Sequence, residues 1–281
     1  MLRIHFGLIM AALIMLCSTA VEAQTYKLSA PNTSNLPGGS LAADILMTNL
    51  PESAQGFQFG INYDPTILTL DSVVQGSTLQ SLNSGDGAEF FHMGEPTGSG
   101  GITVGAIVSL APPLLSIPAG SDQSIARLNF LVQSTATPAQ ISPLTFTNSL
   151  GSPPVLCVIS VNGASQSPIL EHGSVTVETP APTGRQVVLD DACVCTGTAS
   201  WTNGGTYDSI IVSIDGIASS YAGDTQSISL NLNDGVATNV DVYGISNGQD
   251  SVATSTSYTC NSTPPNAPIS DLSCSVDHDS C

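Results

Sequence analysis

Glu89 and Glu95, flanking Phe90, Phe91 and His92, are the residues of this sequence best spaced for acid–base chemistry. A glycoside hydrolase uses such a carboxylate pair, one group as acid and the other as nucleophile or base. Catalysis also needs neighbours that position and tune the pair, and the glycine-rich surroundings, residues 81–101, display none. Asp190-Asp191 falls in an expected inter-strand loop, where carboxylates serve turn formation more often than proton transfer. His92, His172 and His278 lie in three separate segments, and the Cys193-Val194-Cys195 spacing is too tight for a zinc hairpin. No Gly-x-Ser-x-Gly, His-Glu-x-x-His or phosphate-cradling glycine loop occurs. Acidic turns invite structural calcium, but the Asp-x-Asp-x-Asp-Gly loop is missing. The expectation is a chain with no catalytic residue, no metal site and no cofactor.

The elements that would position any site begin after a leader. Arg3 and His5 precede an apolar run, residues 6–17, and a small polar stretch ends in Val21-Glu22-Ala23. This is the layout of a signal peptide over residues 1–23, cut before Gln24, and it implies a secreted or cell-surface protein. The run is too short to span a bilayer, and no later stretch is long and apolar enough. The 281-residue chain has a net charge of −18, and Lys27, Arg127 and Arg185 are the basic residues beyond the leader. Such a chain is no partner for nucleic acid, because phosphate neutralisation needs clustered Lys and Arg. Six cysteines follow the leader: Cys157, Cys193, Cys195, Cys260, Cys274 and Cys281. In an oxidising compartment they read as disulfide formers, with the connectivity left open.

Phe57, Phe59, Ile61 and Tyr63 alternate with Gln58, Gly60 and Asn62, the period of a strand with one buried face. Asp64-Pro65 breaks the ladder into a turn, and a second apolar run, Ile67 to Val74, stops at Gly76. Alternation recurs from Leu41 to Met47, Ile102 to Val108 and Ala126 to Val132, with further strands at 143–147, 155–161 and 173–178. No helical stripe occurs, so the region is all-β. Thr179-Pro180-Ala181-Pro182-Thr183 predicts a stiff extended joint with few contacts across it. Beyond it, strands at 187–189, 199–202, 210–214, 228–232, 236–245 and 251–258 alternate with Asn-Gly and Asp-Gly turns. They predict a smaller sandwich over residues 184–260. NAPISDLSCSVDHDSC then repeats PAPTGRQVVLDDACVC at one constant spacing, pairing Cys281 with Cys195. Residues 261–281 are expected to be a linker and the start of a truncated second copy.

GFQFGINYDPTILTLDSV, followed in order by GGITVGAIVSL, IARLNFLVQ and EHGSVTVE, resembles the cohesin domain, and the resemblance covers residues 24–178. It implies a nine-stranded jelly-roll sandwich, a fold shared with carbohydrate-binding modules of cellulose-degrading systems. It also implies a sheet face that receives a dockerin module. In dockerin-binding relatives the strand before YDP carries outward Asn and Asp, and the matching positions here are Gly56 and Gln58. The binding candidates are Gln58 and Asn62 on that outward face. ASWTNGGTYDSIIVSIDG and VDVYGISNGQDS resemble a fibronectin type III module, with Trp201 in its core and Val240 where that family carries a buried tyrosine.

The fold class expected is thus a cohesin-like jelly-roll sandwich followed by an immunoglobulin-like, type III-like sandwich. The function expected is a secreted, non-catalytic binding or scaffolding protein associated with polysaccharide binding or breakdown. Its partner would be a dockerin-like extracellular protein or a polysaccharide. Two alternatives are a carbohydrate-binding or surface-adhesion protein, and an accessory region of a larger glycoside hydrolase. Glycan platforms stack sugars on exposed Trp or Tyr rings. With Trp201 in a core and Tyr63 facing inward, Tyr26 is the ring left for that role.

Overall fold

A strand with one apolar face is stable only when a second layer covers that face. The computed structural model supplies the layer, and it describes residues 25–94, 100–191 and 195–261. The leader, Glu95, Cys193, and the Cys274, His278 and Cys281 of the expected repeat lie outside the described residues.

The first sandwich contains β1 (Thr25–Ser29), β2 (Asn32–Asn35), β3 (Ser40–Leu50), β4 (Gly56–Asn62) and β5 (Leu68–Gln75). A single helical turn, α1 (Ser77–Gln80), leads to β6 (Phe90–Gly94), β7 (Gly101–Ile107), β8 (Gln123–Val132) and β9 (Ile141–Thr147). β10 (Val158–Val161), β11 (Ala164–Gln166), β12 (Ile169–Glu171) and β13 (Gly173–Val177) complete it. One sheet has the order β12-β1-β3-β8-β5. The other, of eight strands, runs β11-β10-β4-β9-β13-β2, with β7 paired to β4 and β6 to β7. The jelly-roll strands appear as thirteen segments because some are interrupted. At Ala30-Pro31 the missing proline N–H ends the ladder, and β1 and β2 enter opposite sheets.

The inner faces meet as the alternation predicts. Phe57, Phe59 and Ile61 of β4 are buried against Ile45 and Met47 of β3 and Phe130 of β8 in one core. Phe59 lies edge-on to Phe146, with ring centroids 5.7 Å apart. The turn after β4 is locked by Asp64, whose Oδ1 accepts bonds from Thr66 N (2.8 Å) and Thr66 Oγ1 (2.6 Å). Those bonds hold the Asp64 carboxyl below the usual aspartate range.

Two expectations change here. Tyr26 is buried, and its hydroxyl donates to Glu52 Oε2 at 3.0 Å, so it offers no exposed ring. Cys157 is a buried free thiol, not a disulfide former. It follows the inward parity of Ile159, so its sulfur faces the carbonyls of Thr147 (3.5 Å) and Gly60 (3.9 Å) inside the core. Burial pushes this thiol up from its ordinary pKa.

Lys27 in β1 pairs with Asp122 (3.4 Å) and Glu171 (3.2 Å). Arg127 in β8 grips Asp44 of β3 bidentately, at 2.8 and 3.0 Å. The Arg127 bond is the main cause of a lowered Asp44 pKa. A depressed folded-state pKa adds stability above the unfolded value, about 3.9, and that stability is lost as pH falls through the folded value. Because the pair is half exposed, Asp44→Asn should cost at most about 1 kcal/mol at pH 7. The difference from wild type should shrink in urea titrations as the pH is taken below the ordinary aspartate pKa and Asp44 is protonated. A difference that stays constant with pH would refute the assignment.

The second set of strands is β14 (Thr183–Asp191), β15 (Thr196–Thr202), β16 (Ser209–Ile214), β17 (Ile217–Ala222) and β18 (Ser227–Asn231), then β19 (Ala237–Ser246), β20 (Gln249–Asp250) and β21 (Thr254–Thr259). β14-β15-β18 face β17-β16-β19, with β20 and β21 on the free edge of β19. Trp201, Ile210, Val212, Val240 and Val242 form its core, closed by the Cys195–Cys260 disulfide. Asp190 lies within β14 rather than in a loop, where its carboxylate accepts the Thr198 hydroxyl at 2.7 Å. Asp191 ends the same strand, paired with Thr196.

The Pro-rich joint is more strongly held than its composition predicts. Thr179 Oγ1 donates to Gln249 O (3.0 Å), and Tyr207 Oη donates to Pro180 O (2.8 Å). Asn247 Nδ2 donates to Pro138 O (3.0 Å), and Ala139 N donates to Gln249 Oε1 (3.0 Å). Prolines leave carbonyls without intrasegment donors, and the side chains of Tyr207 and Asn247 in the second sandwich satisfy those of Pro180 and Pro138.

Candidate interaction face

β4 lies in the middle of the eight-stranded sheet. β7 pairs along one edge, from Gly56↔Ile107 to Asn62↔Gly101. The other edge is shared by β10, which pairs with residues 56–58, and β9, which pairs with residues 60–62. With Phe57, Phe59 and Ile61 committed to the core, Gly56, Gln58, Gly60 and Asn62 face outward, as the alternation requires.

The structure puts the two candidates in different surroundings. Gln58 lies on the floor of a groove with Gly56 and Gly105, and its Nε2 donates to Leu156 O at 3.0 Å. Asn62, two pairs further along the strand, has its Oδ1 buried without a hydrogen-bond partner. The loop between β9 and β10 comes over this end of the face. A Cβ placed on Gly101 would lie 2.9 Å from the methyl groups of Leu150 and 2.6 Å from Asn62 Oδ1. The outward strip is therefore half open, around Gln58, and half covered by the chain itself, around Asn62.

The sequence does not show the walls of the open half. Phe90 of β6 (44% exposed), Ile107 of β7 (43%) and Leu114 (68%) border the groove. Leu114 stands on the Pro-rich loop after β7, and Glu89 pins that loop. Its Oε2 accepts Leu110 N at 2.5 Å, and its Oε1 lies 3.3 Å from Ser109 Oγ. Glu89 thus holds a loop in place, and Phe90 stacks on His92 with ring centroids 6.0 Å apart. None of the lining residues is charged, although the chain as a whole carries −18. A partly apolar, uncharged, shallow surface suits contact with another macromolecule's uncharged face. Among the described residues no group of three or more His, Cys, Asp or Glu gathers to hold a metal. The signal for these walls was the Phe90-Phe91 pair and the Leu114-Leu115 pair flanked by prolines, apolar residues with no alternation to bury them.

Residues 26–164 match the family model of the cohesin domain. No curated protein matches the chain. Among solved structures, the seventh ScaB type I cohesin from Pseudobacteroides cellulosolvens is 21% identical with a TM-score of 0.46, covering 58% of this chain and 97% of that one. CaCohA2 from Clostridium acetobutylicum is 22% identical with a TM-score of 0.44, covering 55% and 92%. The third cohesin of ScaC from Acetivibrio cellulolyticus, solved with the ScaB dockerin, is 18% identical with a TM-score of 0.45, covering 55% and 99%. Cohesin domains are non-catalytic protein–protein interaction modules. The first sandwich of this chain, with its uncharged groove around Gln58, is a cohesin-like module.

Proposed function

We propose that the protein is a secreted scaffolding or binding protein that captures a dockerin-like partner on the outer face of its eight-stranded sheet. The observation that carries this reading is the uncharged groove around Gln58, walled by Phe90, Ile107 and Leu114, on a module of the cohesin type. The leader-like residues 1–23 and the Cys195–Cys260 bridge support export to an oxidising compartment. The chain divides at the Pro-rich joint, and the second sandwich acts as a type III-like spacer. Its support is the three-strand and five-strand sheets, with Trp201 on the second strand. The buried tyrosine of this sandwich is Tyr207, which lies over Gly244 beside Val242, so Val240 completes the core without it. No cofactor enters the reading.

The test is capture of the full chain by a panel of dockerin modules, run beside a glycan array. Saturable dockerin binding is expected, and Ile107→Asp should weaken it by about tenfold or more, because a charge is buried in a neutral contact. Binding that ignores Ile107→Asp would move the contact off this face, and absence of dockerin binding would sink the proposal. A polysaccharide ligand is the second reading, and the exposed Phe90–His92 stack beside the Gln58 amide favours it. Glycan binding lost in Phe90→Ala would select it.

A further inference from the structure

β9 and β10 run along the same edge of β4, yet the pairing steps from Gly60↔Thr147 to Gln58↔Val158. Two residues of β4 are spanned on the neighbouring edge by the whole segment 148–157. An excursion of that length in mid-ladder has to fold somewhere, and it folds back over the outer face. Three contacts seat it there. Leu150 is buried, at 6% exposure, in a hollow that exists because Gly60 and Gly101 have no Cβ. Gln58 Nε2 donates to Leu156 O at 3.0 Å. Asn148 Oδ1 accepts Cys157 N at 2.7 Å and closes the neck of the excursion.

The segment is attached lightly for something so placed. Its internal backbone bond is Val155 N to Leu150 O, at 2.7 Å, and Leu150 packs outside the main core. Beneath it, Asn62 Oδ1 is buried without a partner, a cost that disappears once the segment lifts and water or a ligand reaches the amide. Gln58 likewise gains a free donor. A closed state with an unpaired buried amide and one buried leucine is a natural candidate for local opening at a cost well below global unfolding.

We infer that residues 148–157 form a strap that opens independently of the sandwich and competes with the partner for the outer face of β4. Closed, the strap limits docking to the groove around Gln58. Open, it extends the site through the Gly60–Gly101 hollow to Asn62. The inference rests on the proposed interaction face, but its test needs no partner.

The sulfur of Cys157 is in the main core, so the strap is followed through its own amides, Val155 N on Leu150 O and Cys157 N on Asn148 Oδ1. The full chain is diluted into deuterated native buffer, and exchange in the peptide carrying Val155 and Cys157 is followed by mass spectrometry over a range of low urea concentrations. Exchange should outrun global unfolding and depend weakly on urea. Leu150→Ala should speed it by roughly tenfold or more, because the contacts that hold the strap are removed. Gly101→Ala should act in the same direction by wedging Leu150 out while leaving every core side chain in place. Labelling of wild type only at the global unfolding rate overturns the strap. So does fast labelling that neither variant changes. Opening without dockerin binding would leave the strap standing and sink the partner reading alone.

Discussion

Reduction of the Cys195–Cys260 bridge should lower the stability of the second sandwich by about 4 kcal/mol, the cost of restoring the unfolded chain's freedom over a loop of this length. The bridge spans a sequence separation of 65 and ties the residue before β15, in one sheet, to the residue after β21, in the other. Around it, Leu232 N donates to Cys195 O and Gly235 N to Cys260 O, so its loss frees the end of both sheets. Trp201 is the chain's lone tryptophan and lies in this core, so its fluorescence reports the second sandwich alone. Urea midpoints of Trp201 fluorescence should fall sharply with reductant or in Cys260→Ser. The first sandwich should hold, because its Cys157 is unpaired. A Trp201 midpoint indifferent to reductant would show that the hydrophobic core alone carries this module.

Phe59→Ala makes the complementary prediction for the first sandwich, a loss of about 3–5 kcal/mol. Phe59 is fully buried, with Phe57 stacked at 6.1 Å and Phe146 edge-on at 5.7 Å. Neither ring can follow a truncated neighbour without breaking β-ladder bonds on both sides of β4, so the cavity stays open. Far-UV circular dichroism against urea should show an early transition for the first sandwich, with the Trp201 transition unmoved. A loss under about 1 kcal/mol would mean that the two sheets collapse onto the gap. Phe59 sits between Gln58 and Gly60, so the same change should loosen the outer face and weaken partner capture at temperatures where the fold survives.

The contrast between these residues explains what the sequence reveals and what it conceals. The inner face of β4 is legible because burial imposes a period of two, and Phe57, Phe59 and Ile61 obey it. The outer face obeys no such rule. Gly60 and Gly101 look like small residues on a wet surface, yet their missing side chains make the seat for Leu150, forty or more positions away. The strap itself, with Gly151, Pro153 and Pro154, reads as an ordinary turn-rich connection. β17 escaped the pattern for a related reason. Its residues, from Ile217 at 77% exposure onward, are almost all exposed, and an edge strand with no buried side chains leaves no alternation. Residue type does not place Tyr26 or Cys157, since a ring or a thiol is assigned inside or outside by register rather than by chemistry.

The ion pairs of the first sandwich carry a consequence for resistance to proteolysis. Proteases that cleave after Lys or Arg must draw that side chain, with the backbone around it, into an extended groove of their own. Lys27, Arg127 and Arg185 each lie inside a strand, in β1, β8 and β14, and the first two are also held by carboxylates. Among the described residues no loop carries a lysine or an arginine. A trypsin-like enzyme therefore meets its cutting points among the described residues only in strands: Lys27 and Arg127 between paired neighbours, which must come apart first, and Arg185 at a register shift on the edge strand β14, the more open of the three.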